Sequence, residues 1–157
     1  MMRDELESFF ADPSAENYLR VRRRVLGYRR APVPEQIALV EIDFRSGAYD
    51  RVRSELPRLL PHWKLSPRFY RLAGLTALES GDDEGARVDR FLHETCLLGI
   101  LATGEGDADA PYRITYASDV DEVLEHLGAP VRGKSLVRGP DGLCNVVHSD
   151  TRDFWFA

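Results

Sequence analysis

The amino-acid sequence predicts an α+β fold in which N-terminal helical hairpins are capped by a small C-terminal sheet. Through residues 1–103, apolar side chains recur at spacings of three and four, and about six helical segments fit this pattern. After Gly104 the apolar period falls to two, and the chain reads as a β-α-β-β-β segment. We therefore expect a helical region over 1–103 and a small α+β cap over 104–157 that shares the core of the last helix.

Start and stop signals bound each helical segment. Ser14 and Ser66 stand where side-chain N-caps are expected, and Pro67 suits a first helical position. Pro57 lies inside the fourth segment and predicts a bend or an early end, because proline has no N–H to donate. The third segment is apolar almost all round, which predicts a buried helix. The expected helices run over about residues 3–10, 14–27, 34–45, 48–60, 67–79 and 82–102.

One dipeptide recurs between helices at a fixed spacing. Ser46-Gly47 and Ser80-Gly81 are separated by 81 − 47 = 34 residues, which is the tetratricopeptide period. The same offset aligns Val40 with Gly74, where the first helices of two pairs must approach closely. One helix pair cannot bury its apolar face alone, so the pairs must stack. The spacing predicts tetratricopeptide-like pairs, with a generic array of helical hairpins as the alternative.

The C-terminal part alternates short strands with one helix. Residues 112–116 (YRITY) alternate and predict a strand. Ser118 with Asp121 resembles a capping box at the start of a short helix that stops at Gly128. A hairpin and a terminal aromatic strand are expected over about residues 131–138, 143–148 and 153–157.

Three motifs occur in an order that resembles a bacterial family of unknown function. They are Asp12-Pro13-Ser14 leading to Tyr18-Leu19 and Arg22, the loop from Gly104 to Asp107 before Tyr112, and Asp121-Glu122 leading to Leu127-Gly128. Members of that family have tetratricopeptide-like helices followed by a small α+β C-terminal part. The resemblance implies the same architecture for this chain and brings no catalytic residues with it.

Composition limits the classes of function. The chain has 157 residues, 30% of them charged, and a formal net charge of −5. A mildly acidic balance argues against a general nucleic-acid binder. No stretch approaches the roughly 20 apolar residues that span a bilayer, and the N-terminal residues lack a secretory signal. We expect a cytoplasmic protein whose two cysteines, Cys96 and Cys144, are buried reduced thiols.

A cluster of arginines has two interpretations. The cluster either binds phosphate or RNA, or forms a solvated face paired with acids of the first helix. Its members are Arg20, Arg22, Arg23, Arg24, Arg29 and Arg30. Arg22 differs from the others because it falls on the inward face of its helix. A buried unpaired charge is costly, so we expect Arg22 to form an ion pair with Glu41 or Asp43.

Five residues are the candidates for a binding site: Arg22, His93, Glu105, Asp107 and Tyr112. The loop from residue 104 to 111 holds three carboxylates that can suit Ca²⁺ or Mg²⁺. It lacks the regularly spaced ligands of a calcium-binding loop. The alternative is a polar turn between helix and strand. The histidines have no metal-type spacing. Ser135 and the other C-terminal hydroxyls lack a nucleophile elbow. The sequence therefore predicts no cofactor, no metal and no catalytic residue.

The predicted architecture favours an interaction module. Stacked helical hairpins build a groove that usually binds peptides or other proteins, so the expected partner is a protein or peptide, with an adaptor or inhibitor role. The alternative is an enzyme or small-ligand protein with its site at the junction of helices and sheet.

Overall fold

A computed structural model describes residues 2–28 and 33–157 of the chain. These residues form an α+β fold with seven helices and a C-terminal three-stranded sheet. The helices are α1 (Met2–Ala11), α2 (Ala15–Leu26), α3 (Pro34–Arg45), α4 (Tyr49–Trp63), α5 (Pro67–Glu79), α6 (Asp83–Ala102) and α7 (Asp119–Leu127). The strands are β1 (Gly133–Gly139), β2 (Gly142–His148) and β3 (Asp153–Phe156). In the described ranges, no helix is long and apolar enough to cross a membrane.

The predicted helix starts at Ser14 and Ser66 are confirmed. The Ser14 hydroxyl accepts a hydrogen bond from the backbone N–H of Asn17 at 3.3 Å, and Ser66 accepts one from Phe69 at 3.1 Å. Each bond satisfies a backbone donor that has no partner inside its helix. These caps explain why α2 and α5 begin where the sequence places them.

The predicted early end at Pro57 is wrong. Helix α4 continues through Pro57 and Pro61 to Trp63. A proline inside a helix costs about 3 kcal/mol, but continuing the helix buries an apolar face whose residues are each worth about 1.5–3 kcal/mol. The buried residues that follow Pro57 are Leu59 and Trp63.

The two Ser-Gly dipeptides make the same turn. Gly47 and Gly81 have φ angles of 79° and 76°, a left-handed conformation that favours glycine. The N–H after each glycine bonds the carbonyl five residues before it, Ala48 to Asp43 at 2.9 Å and Asp82 to Ala77 at 2.8 Å. This is the Schellman helix end. Its two copies therefore match residue by residue at the 34-residue offset.

The hairpin of α5 and α6 is the centre of the helical packing. Helices α3 and α4 pack on α5, helices α1 and α2 pack on α6, and α7 contacts both. Within the described residues, α1 and α2 make at most marginal contact with α3 and α4. The first pair therefore docks on the far side of the hairpin instead of stacking on the second pair.

This arrangement leaves α3 more exposed than predicted. Only Ile37 and Val40 of α3 are buried, whereas Leu39 is 64% and Ile42 is 56% exposed. Because α1 and α2 pack elsewhere, they do not cover the outer side of α3. The prediction that α3 is buried all round is wrong for this reason.

The sheet is antiparallel, with the strand order β1-β2-β3. The strand expected at residues 112–116 is reduced to one parallel bridge between Tyr112 and Phe156. Backbone bonds hold this bridge, from the Tyr112 N–H to the Trp155 carbonyl at 2.9 Å and from the Ala157 N–H to the Tyr112 carbonyl at 2.8 Å. The described cap thus has three strands and a bridging segment instead of four strands.

One hydrophobic core joins helices and cap. The Tyr18 hydroxyl lies 2.8 Å from the Thr115 hydroxyl, and the Tyr116 hydroxyl donates to the His62 carbonyl at 2.8 Å. Residues of α1, α2 and α6 share this core with the sheet, among them Phe9, Tyr18, Leu97, Ile100, Val147, Phe154 and Phe156. Cys96 and Cys144 are free and buried, as expected.

Replacing Gly99 with alanine is expected to destabilise the protein by about 1–3 kcal/mol. A Cβ at this position would lie 2.6 Å from the Phe9 ring and 2.7 Å from the Tyr18 ring, both fully buried. Glycine to alanine in a helix normally gains roughly 0.5–1 kcal/mol, so the steric clash reverses the sign. Urea unfolding measures the change. Leu98→Ala at the neighbouring, half-exposed position is the control, and a more stable Gly99→Ala variant would contradict this packing.

Candidate functional site: a groove across α5

A chain of three adjoining cavities crosses α5, and we call it the α5 groove. The junction cavity, about 420 Å³, lies where α2 to α5 meet residues 115–121. The middle cavity, about 360 Å³, lies between α3 and α5, and the hairpin cavity, about 260 Å³, lies between α5 and α6. The junction and middle cavities share Glu41 and Arg68 in their walls, and the middle and hairpin cavities share Arg71 and Leu75.

A buried carboxylate in α7 holds two arginines of α5 in place. Glu122 has 2% side-chain exposure and lies 3.3 Å from Arg68 Nε and 2.7 Å from Arg71 Nη2. Burying a charge is costly unless it is paired, so the two guanidinium groups are required by the burial of Glu122. Arg71 also pairs with Glu125 at 2.8 Å. These contacts attach α7 to α5 along the wall of the groove.

Arg68 connects three helices. Besides Glu122, it lies 3.6 Å from Glu41 of α3 and 3.9 Å from Asp121 of α7. Lys134 of β1 in turn lies 3.1 Å from Asp121. The charged wall therefore runs from α3 through α5 and α7 to the sheet, with positive and negative groups alternating.

The junction cavity has an aromatic wall. Trp63 and Tyr116 stack with ring centroids 4.9 Å apart and an angle of 18° between the rings. Thr115 and Ser118 add hydroxyl groups to the same cavity. The Trp63 indole nitrogen and the Ser118 hydroxyl are both buried without a hydrogen-bond partner in the protein. Leaving a buried polar group without a partner costs free energy, so both groups reduce the stability of the fold.

Asp119 stabilises the turn that borders this cavity. Its Oδ2 accepts hydrogen bonds from the N–H groups of Thr115 at 2.9 Å and Tyr116 at 3.0 Å, and Oδ1 has no partner. Burial raises the pKa of the Asp119 carboxyl to about 7, partly opposed by those two hydrogen bonds. The capping box predicted for Ser118 and Asp121 is not formed, since the Ser118 side chain makes no cap bond.

The hairpin cavity is apolar with a basic rim. Leu75 and Leu78, which are 43% and 56% exposed, line it together with cationic side chains of α6. Arg90 is paired with Glu94 at 3.2 Å. Arg87 is exposed and has no ion pair among the residues that the structure describes.

Arg22 contacts the cap instead of an acid. Its Nε donates to the Ile114 carbonyl at 2.7 Å, and burial lowers the pKa of its guanidinium. The predicted ion pair with Glu41 or Asp43 is wrong, because Glu41 lies beside Arg68 and Asp43 pairs with Arg51 at 3.3 Å. A backbone carbonyl satisfies the half-buried guanidinium and ties α2 to the cap.

Glu105, Asp107 and Tyr112 belong to a closed turn. Asp107 Oδ1 accepts hydrogen bonds from the N–H groups of Asp109 at 3.1 Å and Ala110 at 2.8 Å, while Glu105 is exposed. The buried Tyr112 ring packs over Gly106, which leaves no room for a side chain there. In the described part of the chain, no group of three or more His, Cys, Asp and Glu is placed to hold a metal ion. The geometry favours the polar-turn interpretation of this loop.

His93 is the only one of the five predicted site residues that lines the α5 groove. Its Nδ1 lies 2.8 Å from the Pro67 carbonyl, at the hairpin cavity. The residues that sequence reasoning missed are Arg68, Arg71 and Glu122. Arg68 and Arg71 are one helical turn apart, which places them on one face of α5, but their partner Glu122 lies 54 residues beyond Arg68.

The basic cluster is paired in part with acids. Arg24 lies 3.1 Å from Glu5 of α1, and Arg20 lies 2.8 Å from Glu16. These pairs favour the solvated-face interpretation. Arg29 and Arg30 lie outside the described residues.

The central charges of the α5 groove neutralise one another. Its remaining walls include apolar side chains and the exposed guanidinium of Arg87. Comparisons with protein-family models, with curated protein sequences and with solved structures found no match for this chain.

Removing the charge of Glu122 is expected to destabilise the fold. Glu122→Gln leaves Arg68 and Arg71 without their buried counter-ion and should cost about 1–3 kcal/mol, less than for a fully buried pair because both arginines reach solvent. Glu125→Gln, whose side chain is 70% exposed, is the matched control and should change stability by less than about 0.5 kcal/mol. Urea unfolding of both variants measures the difference, and equal effects would contradict the role of Glu122.

Asp119 is expected to make stability pH-dependent. Its folded-state pKa of about 7 lies above the ordinary value of an unfolded aspartate, so the folded chain holds a proton through the window between the two. The free energy of unfolding therefore falls as pH rises through that window. From pH 5 to 8, the free energy of unfolding of the wild type should fall by at least about 1 kcal/mol more than that of Asp119→Asn. Asp121→Asn is the control, and parallel pH profiles for the wild type and Asp119→Asn would contradict this assignment.

Proposed function

We propose that the protein is an interaction module that binds a peptide segment of a partner protein in the α5 groove. The observation that carries this proposal is that three cavities along α5 adjoin in a row, each sharing two wall residues with the next. A single cavity suits a small molecule. A row of adjoining cavities with alternating apolar and charged walls suits successive side chains of a peptide.

The helical pairs support this proposal. In the pairs α3–α4 and α5–α6, the first helix ends in the same Schellman turn, and the two turns are 34 residues apart. We infer that the two pairs are tetratricopeptide-like, and α3 and α5 are then the first helices of their pairs. Surfaces lined by successive first helices are the usual peptide-binding faces of such arrays. The step from architecture to binding is an analogy of fold.

The groove also suggests how a peptide is held. Leu75 and Leu78 offer apolar contacts, each worth up to about 1.5–3 kcal/mol when fully covered. The exposed guanidinium of Arg87 offers a polar contact at the hairpin end. An adaptor or an inhibitor of another protein fits this description.

A small-ligand protein or an enzyme at the junction of helices and cap is the second candidate. The junction cavity, at about 420 Å³, lies within the roughly 300–1,000 Å³ typical of ligand pockets. The stacked rings of Trp63 and Tyr116 in its wall favour this alternative.

Selection from a random peptide library tests the proposed function. Peptides selected on the wild type should bind Leu75→Arg at least about tenfold more weakly, a loss of about 1.4 kcal/mol, because Leu75 lines two of the three cavities. Leu143→Arg, at a 59%-exposed leucine on the sheet, is the matched control and should retain binding.

The two candidates give different results with a variant that fills the junction cavity. Ala38 lines only that cavity of the three, so Ala38→Trp should abolish small-molecule binding but leave contacts at the hairpin end. Peptides that bind the wild type and Leu75→Arg equally would contradict the α5 groove as their site. A small molecule whose thermal stabilisation of the wild type disappears in Ala38→Trp, with no peptide selected, would favour the second candidate.

A further inference from the structure

Three side chains on adjacent strands of the sheet form a serine–histidine–aspartate chain of hydrogen bonds. Ser135 Oγ of β1 lies 2.8 Å from His148 Nε2 of β2, and His148 Nδ1 lies 2.8 Å from Asp153 Oδ1 of β3. Both distances lie within the range of about 2.6–3.2 Å expected for a nucleophile and its general base. The histidine is thus bonded on one side to a hydroxyl and on the other to a carboxylate.

The strand register holds these side chains together. His148 is directly opposite Asp153, and Ser135 is opposite Val146, two residues before His148. Paired and diagonal positions share one face of a sheet, so all three side chains project from the same face. Gly133 is opposite His148, and even a Cβ there would remain 3.5 Å from the imidazole. The imidazole therefore has room to lie between its two partners.

The two distances fit one tautomer of a neutral His148 ring. An ionised carboxylate only accepts, so in that neutral ring the proton lies on Nδ1, facing Asp153. The Nε2 atom then carries a lone pair and accepts the hydrogen bond from the Ser135 hydroxyl. This is the arrangement in which an imidazole can remove the proton of a serine while a carboxylate stabilises the imidazolium that forms.

We propose that Ser135 is an activated nucleophile for acyl transfer, with small activated esters as its class of substrate. Ser135 Oγ bonds to the ester carbonyl carbon as its proton moves to His148 Nε2, and the alcohol leaves with that proton. Water then attacks the acyl-serine, His148 takes a proton from it, and the acid is released as Ser135 recovers its hydrogen.

The surroundings of the three residues define the substrate class. The side chains of His148 and Asp153 are 42% and 52% exposed, and Ser135 is exposed as well. None of the three lines a cavity of the α5 groove. A small ester can reach these side chains readily on the open surface of the sheet. A long substrate would find few contacts there. This activity is separate from the proposed peptide binding, because it uses none of the residues that line the α5 groove.

An alkyl fluorophosphonate tests the proposal directly. The reagent forms a bond between Ser135 Oγ and phosphorus, fluoride leaves, and His148 takes the serine proton. We expect a single addition to the intact protein, located at Ser135 by peptide mass spectrometry, with none at neighbouring Ser149. His148→Gln should slow the addition at least about a hundredfold, as expected for loss of a general base. Asp153→Asn should slow it as well, and Asp153→Glu should restore part of the rate.

The controls separate activation from ordinary reactivity. Thermal unfolding shows whether each variant remains folded, and the wild type in urea shows the rate of the same serine without the sheet. Release of p-nitrophenol from p-nitrophenyl acetate should fall to the background rate in Ser135→Ala but not in Ser149→Ala. Labelling of Ser135 no faster than in urea would overturn the proposal, as would an unchanged rate in folded His148→Gln.

Discussion

The contact between α5 and α6 is the constraint on which the rest of the structure depends. Every other helix packs on one or both of these two. The two helices pack closely at Gly74, where an added Cβ would just touch the Asp89 Cβ at 3.4 Å. Helices α1 and α2 pack on α6 at Gly99, and helices α3 and α4 pack on α5. The hairpin is therefore covered on two sides. The α5 groove lies on a part of α5 that this packing leaves open.

The charged wall of the groove follows from the same packing. Helix α7 reaches α5 only by burying Glu122, and this carboxylate is tolerated because Arg68 and Arg71 surround it. The pairing positions α7, and the cap is held further by the bonds of Tyr116 to His62 and of Arg22 to Ile114. The residues that hold the fold together therefore also line the α5 groove.

Local features of the fold were predictable from the sequence, whereas contacts between distant segments were not. Caps such as Ser14 and the turns at Gly47 and Gly81 depend on neighbouring residues, which is why the helix limits agree closely with expectation. The docking of α1 and α2 on α6 depends on shape at Gly99, which periodicity does not encode. The partners of Glu122 and the row formed by Ser135, His148 and Asp153 depend on packing and strand register. Of the predicted site residues, His93 alone lines the α5 groove.

The central claim is that helices and cap form one cooperative unit organised by α5 and α6. Native-state hydrogen exchange in low urea tests it by comparing buried amides of α6, such as Leu97 and Ile100, with Val147 of β2. We predict that all three amides exchange through the same global opening, with equal free energies and equal dependence on urea. Exchange of Val147 at a clearly lower free energy, while Leu97 and Ile100 stay protected, would contradict it.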